Sequence, residues 1–91
     1  MLEEVLLEVV ALLRRTFPGG VPEADYPALL VVLSEELAEE NLGKVVEEFT
    51  GRNEHLAIYD AVGAQTTKPP DRRDVDRVRD LLTAHGWTSE D

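Results

Sequence analysis

Apolar residues recur at helical spacing in five stretches of the chain. Between Leu2 and Thr16, Leu2, Val5, Leu6, Val9, Leu12, Leu13 and Phe17 fall on one side of a helix, opposite Glu4, Glu8, Ala11 and Arg15. This predicts a first helix over 2–16, with early glutamates and a late Arg14-Arg15 that both suit the helix dipole. Leu7 is the exception: it falls on the polar side, where it is a candidate contact for a partner or another element.

Pro18-Gly19-Gly20 ends that helix, and Asp25 is placed to cap a second over 25–36, with Pro27 tolerated in its first turn. The run ALLVVL (28–33) is apolar all round, which predicts a helix buried at its centre. Nothing between 28 and 42 is Gly or Pro, yet the apolar phase shifts. Leu30, Leu33 and Leu37 form one stripe; Leu42, Val45, Val46 and Phe49 form another. A break near Ala38 therefore separates the second helix from a third over 39–50, closed by Gly51. Gly43 inside it costs about 1 kcal/mol relative to alanine.

A fourth helix is predicted over 54–66, with Leu56, Tyr59 and Val62 on its apolar face and Ile58 beside them. The fifth, over 72–85, is the most fully specified. Asp71-x-x-Asp74 resembles a capping box, and Val75, Val78, Leu81 and Leu82 form the buried face. Gly86 follows as a left-handed C′ residue, with Trp87 returning onto Leu82. The expected fold is all-α, a compact single domain (1–87) of five helices in non-parallel packing, followed by a frayed tail (88–91).

Charge narrows the possible partners. The 91 residues carry a net charge of −10. Residues 1–50 hold eleven acids against three bases, whereas 51–91 hold eight against six. A nucleic-acid footprint is basic, so no nucleic acid is expected, and an anionic membrane surface is disfavoured for the same reason. A basic protein partner is the kind the charge permits. The absence of cysteine excludes disulfides and thiolate chemistry. The acidic N-terminal stretch, with Glu8 inside its apolar run, is unlike a signal peptide, so a cytoplasmic location is expected.

The chemistry-bearing residues form no catalytic set. Glu35, Glu36, Glu39 and Glu40 lack the Glu-x-x-His spacing of bundle metal sites and are expected to be a solvated face. His55 and His85 lie far apart in sequence, and the latter suits a helix C-terminus. Gly19-Gly20 follows a helix, lacks a lysine and precedes Glu23 and Asp25, so it is not a phosphate cradle. Arg72, Arg73, Arg77 and Arg79 are the only basic concentration. Their expected pairs are Arg73–Asp76, Arg77–Asp80 and Arg72–Asp76. No catalytic residue, metal ligand or cofactor is assigned.

The ordered segments FPGGVPEADYPALLVVL, DAVGAQTTKPP and DVDRVRDLLTAHGW resemble an actinobacterial family catalogued as domain of unknown function 3349. In that family an aromatic-Pro-x-Gly-Val-Pro turn precedes a Tyr-led helix, and a terminal Gly-Trp is common. Phe17 to Pro22, Tyr26 and Gly86-Trp87 occupy those places, while Thr88 stands where a proline often follows. The resemblance implies a bundle of about five helices, no established activity and no transferable site residue. The leading expectation is a non-enzymatic interaction or adaptor domain with an acidic surface. The alternative is a small-molecule or peptide pocket where the 17–27 loop, Tyr26 and Trp87 meet. Oligomeric state is open.

Overall fold

In the computed structural model, which describes residues 3–87, the chain forms five helices: α1 (Glu4–Thr16), α2 (Tyr26–Ser34), α3 (Glu39–Thr50), α4 (Glu54–Thr66) and α5 (Arg72–Ala84). No strand occurs among the described residues. Principal extents of 32, 30 and 29 Å leave no long axis, as when short helices cross rather than run in parallel. Leu2 and the 88–91 tail lie outside the described residues.

α2 is the hub. It packs against α3, α4 and α5, and its Ala28, Leu29, Leu30, Val32 and Leu33 are all fully buried. A helix apolar around most of its circumference needs neighbours on several sides, and here it has them. α1 closes the bundle by packing on α3 and α5 through Leu6, Val10, Leu12, Leu13 and Phe17. Val5, expected in that stripe, is exposed instead and edges a surface groove. The buried arc of α1 is rotated towards Val10, leaving Val5 on its rim.

The phase break is real: α2 ends at Ser34 and α3 starts after Ala38, whose backbone is extended at φ −63°, ψ 154°. Gly51 closes α3 in the left-handed region at φ 81°, its N–H donating to Glu47 O at 2.8 Å. α5 ends as expected. Trp87 N–H reaches Leu82 O at 2.9 Å, Gly86 N–H reaches Thr83 O at 3.1 Å, and Gly86 adopts φ 118°. These bonds define a Schellman ending and bring the Trp87 indole into the core. At the other end Asp71 caps α5 by accepting from Arg73 N–H at 2.9 Å. The return arm expected of Asp74 is absent, because that carboxylate binds Arg77 instead.

α4 departs most from expectation. Its buried side is Ala57, Ala61 and Ala64, with Ile58 half-buried. Leu56, Tyr59 and Val62, expected to face the core, are 59, 76 and 41 % exposed. Closeness explains the inversion. A Cβ on Gly43 of α3 would sit 2.8 Å from Glu54 Cγ, 3.0 Å from Ile58 Cγ1 and 3.1 Å from Glu54 O, so the first turns of α4 lie close against α3. A narrow gap admits alanine and excludes leucine. Gly43 is thus a packing requirement of α3 as well as a propensity cost.

Candidate functional site

Asp25 was expected to cap α2, but its backbone is helical (φ −95°, ψ −12°) and its side chain makes no cap hydrogen bond. The turn that precedes it explains this: Asp25 and Tyr26 N–H both donate to Pro22 O, winding the chain before the helix begins. The buried Asp25 carboxylate is held by Arg77 of α5, with both guanidinium nitrogens donating at 2.5 and 3.3 Å. Those hydrogen bonds hold the Asp25 carboxyl below its ordinary value, against the opposing effect of burial. Arg79 similarly clasps Glu35, at 2.6 and 3.3 Å, and also reaches Asp76. The expected Arg73–Asp76 and Arg77–Asp80 pairs do not form; Arg72–Asp76 does, at 4.0 Å. The basic run of α5 is therefore spent mainly on bonds to the start and end of α2.

Tyr26 and Trp87 are both buried, at 8 and 7 % exposure, and they lie in different grooves. Among the described residues they line separate grooves rather than the single pocket expected to join them. Tyr26 belongs to a groove of about 560 Å³ between α2 and α4. Its hydroxyl donates to Asp60 Oδ2 at 3.3 Å, and the Arg52 guanidinium lies 4.5 Å from its ring centroid. Arg52 also approaches Glu23 at 3.5 Å and Asp60 at 4.0 Å. Burial pushes the Tyr26 hydroxyl up to about 12, reinforced by the Asp60 carboxylate and opposed by Arg52. Tyr59 and Lys68 border the same groove. This cluster holds the 51–53 loop against α2 beside an open apolar flank.

Trp87 lies in the second groove, also about 560 Å³, bordered by Val5, Val9, Leu37 and the rim residues Glu8, Glu36 and Arg15. This groove has an apolar floor and carboxylates on its rim. The surrounding helices add to the acidity. Glu3 before α1, Glu4 and Glu8 of α1, and Glu39, Glu47 and Glu48 of α3, are exposed and form no ion pair among the described residues. Leu7 is 46 % exposed on α1, which makes no contact with α4. The Leu56–Tyr59–Val62 stripe is a separate exposed surface that apolar periodicity assigned to the core. The spacing Ala57-x3-Ala61-x2-Ala64 was the signal that could have revealed it.

Among the described residues, no three His, Asp or Glu side chains converge as a metal site, and no helix is long and apolar enough to cross a membrane. No curated protein and no solved structure matches the chain. A family model does, over residues 4–91, and its description is "Protein of unknown function (DUF3349)". With nearly the whole chain matched, and with the five-helix bundle that the resemblance implied, the protein belongs to the DUF3349 family.

Proposed function

We propose that this is a non-catalytic interaction domain that binds a basic, amphipathic segment of a partner protein along α1, beside Trp87 and the link between α2 and α3. The observation that carries this reading is the groove beside Trp87, with an apolar floor, Glu8 and Glu36 on its rim and the unpaired Glu4 carboxylate on the same helix as Glu8. An aliphatic side chain of the segment enters the groove, and its lysines or arginines meet the glutamates. Arg15 on the same rim sets orientation, since it accepts only a neutral or acidic position of the segment.

Trp87 is the only tryptophan, so its fluorescence reports on the groove directly. Titration with a synthetic helical peptide bearing leucines on one face and lysines on the other is expected to shift its emission. The affinity should fall steeply as salt rises, and Glu8→Lys with Glu36→Lys should weaken it roughly tenfold or more. An unmoved spectrum, or binding indifferent to salt and to both substitutions, would refute the proposal. A second reading, a small-molecule or peptide site in the Tyr26 groove, is favoured by the two tyrosines and by Lys68, which has no ion-pair partner there. Saturable chemical-shift changes confined to α2 and α4 on screening small aromatic carboxylates would support it.

A further inference from the structure

The groove beside Trp87 has a direction. α1 borders it from Val5 to Arg15, a rise of about 15 Å or nearly three helical turns. Val5, Val9 and Leu12 form the apolar side of that wall, and Leu37 and Trp87 line the groove from the other elements. Glu4, Glu8, Ala11 and Arg15 follow one another at helical spacing, so they form one ridge along the outer edge of α1. All four are exposed, and none of Glu4, Glu8 and Arg15 forms an ion pair among the described residues. The ridge is therefore negative over the first turns of α1 and positive in its last. It is low between them, where Ala11 offers only a methyl group.

A basic segment in this groove meets that polarity along its length. Its lysines or arginines belong beside Glu4 and Glu8, and an acid belongs beside Arg15. A groove nearly three turns long with apolar side chains on both sides suits a helix, which presents anchors at i, i+3, i+4 and i+7. A helix is itself most stable with acids in its first turn and bases in its last. One direction meets both demands: the N-terminal end of the segment lies by Arg15 and its C-terminal end by Glu4. The opposite direction needs bases in the first turn of the segment and acids in its last, against its own dipole.

We infer, resting on the docking proposed beside Trp87, that the partner segment is a helix with an acidic first turn and basic last turns, lying antiparallel to α1. The dipoles of α1 and of the segment then run in opposite senses, which adds to the attraction between side chains. Arg15 is the residue that reads direction. Without it every charge on the ridge is negative, and the basic end of the segment meets either end of α1 equally well.

Two helical peptides of identical composition, each with leucines along one face, test this in titrations read by Trp87 fluorescence. One has glutamates in its first turn and lysines in its last, and the other has the reverse order. The first is expected to bind roughly tenfold more tightly. Charge order also changes the helicity of a peptide on its own, so the protein is varied as well. Glu8→Arg with Arg15→Glu exchanges two exposed charges and, with its circular dichroism melt checked, should remove the preference. On the unaltered protein, a nitroxide at the N-terminus of the first peptide is expected to broaden the amide signals of Leu13 to Thr16 more than those of Glu4 to Leu6. Equal affinities, a preference that survives the exchange, or stronger broadening at Glu4 to Leu6 overturns the antiparallel direction while the groove remains occupied. If neither peptide shifts the Trp87 emission, the docking itself fails and the direction falls with it.

Discussion

α4 and α5 are both thirteen residues long and both pack on α2, yet they meet it in opposite ways. α5 sends Val75, Val78 and Leu82 inward and turns its charged residues outward, where Arg77 and Arg79 tie it to Asp25 and Glu35. α4 sends alanines inward and turns Leu56, Tyr59 and Val62 outward. Helix α5 is held by apolar bulk and by ion pairs at both ends of α2. Helix α4 is held by close approach, with Glu54 and Ile58 against Gly43 and with Ala57 and Ala61 in the core. Which side of a helix is buried thus depends on the width of the gap it fills, and hydrophobicity decides only when the gap is wide enough.

The largest effect should separate the leucines of the two helices. Leu82→Ala removes a fully buried side chain and is expected to cost about 2–5 kcal/mol in urea unfolding, whereas Leu56→Ala should stay within about 0.5 kcal/mol. Equal costs would erase the distinction. Enlarging the narrow gap comes next. Ala61→Leu is predicted to destabilise by about 1–3 kcal/mol although it adds apolar bulk, because Ala61 is 1 % exposed. Stabilisation by that change would mean the α4 gap is slack.

The glycines divide the helices again. Gly86→Ala, at the left-handed end of α5, is expected to cost about 1 kcal/mol or slightly more. Gly63→Ala, within α4 and facing open space, should raise stability by up to about 1 kcal/mol at dilute concentration. Opposite shifts in melting temperature are the check. The smallest effect is one of pH. Because Arg77 holds the folded Asp25 carboxyl below its ordinary value of 3.8, its contribution is present above pH 3.8 and is lost as pH falls through the folded value. Asp25→Asn should therefore be less stable than wild type at neutral pH, with the difference shrinking as the solution is acidified. A difference independent of pH would mean the ion pair does not fasten α5.

The parts of this fold that local chemistry governs could be read from the chain. Gly51 and Gly86 ended their helices where a left-handed residue is needed, and the phase shift near Ala38 separated α2 from α3 without any Gly or Pro. What needed the third dimension could not be read so directly. Asp25 looks like a cap in its own neighbourhood, but its partner is 52 residues away. Arg79 has acids within reach on its own helix and yet also reaches Glu35 on the far side of α2's end. Tyr26 and Trp87 look like two halves of one pocket until the helices place them in separate grooves. Periodicity alone favoured the larger side chains of α4, because nothing in a period reports the width of the space opposite.

The α4 account is tested most directly by the melting temperature of the triple variant Leu56→Lys, Tyr59→Lys, Val62→Lys at dilute concentration. Lysine keeps helix propensity and removes the outward apolar stripe. A melting temperature within a few degrees of wild type is predicted, because α4 is held by its alanines. A fall of more than about 10 °C, equivalent to roughly 2 kcal/mol in a domain of this size, would show that the stripe belongs to the core and would contradict the account.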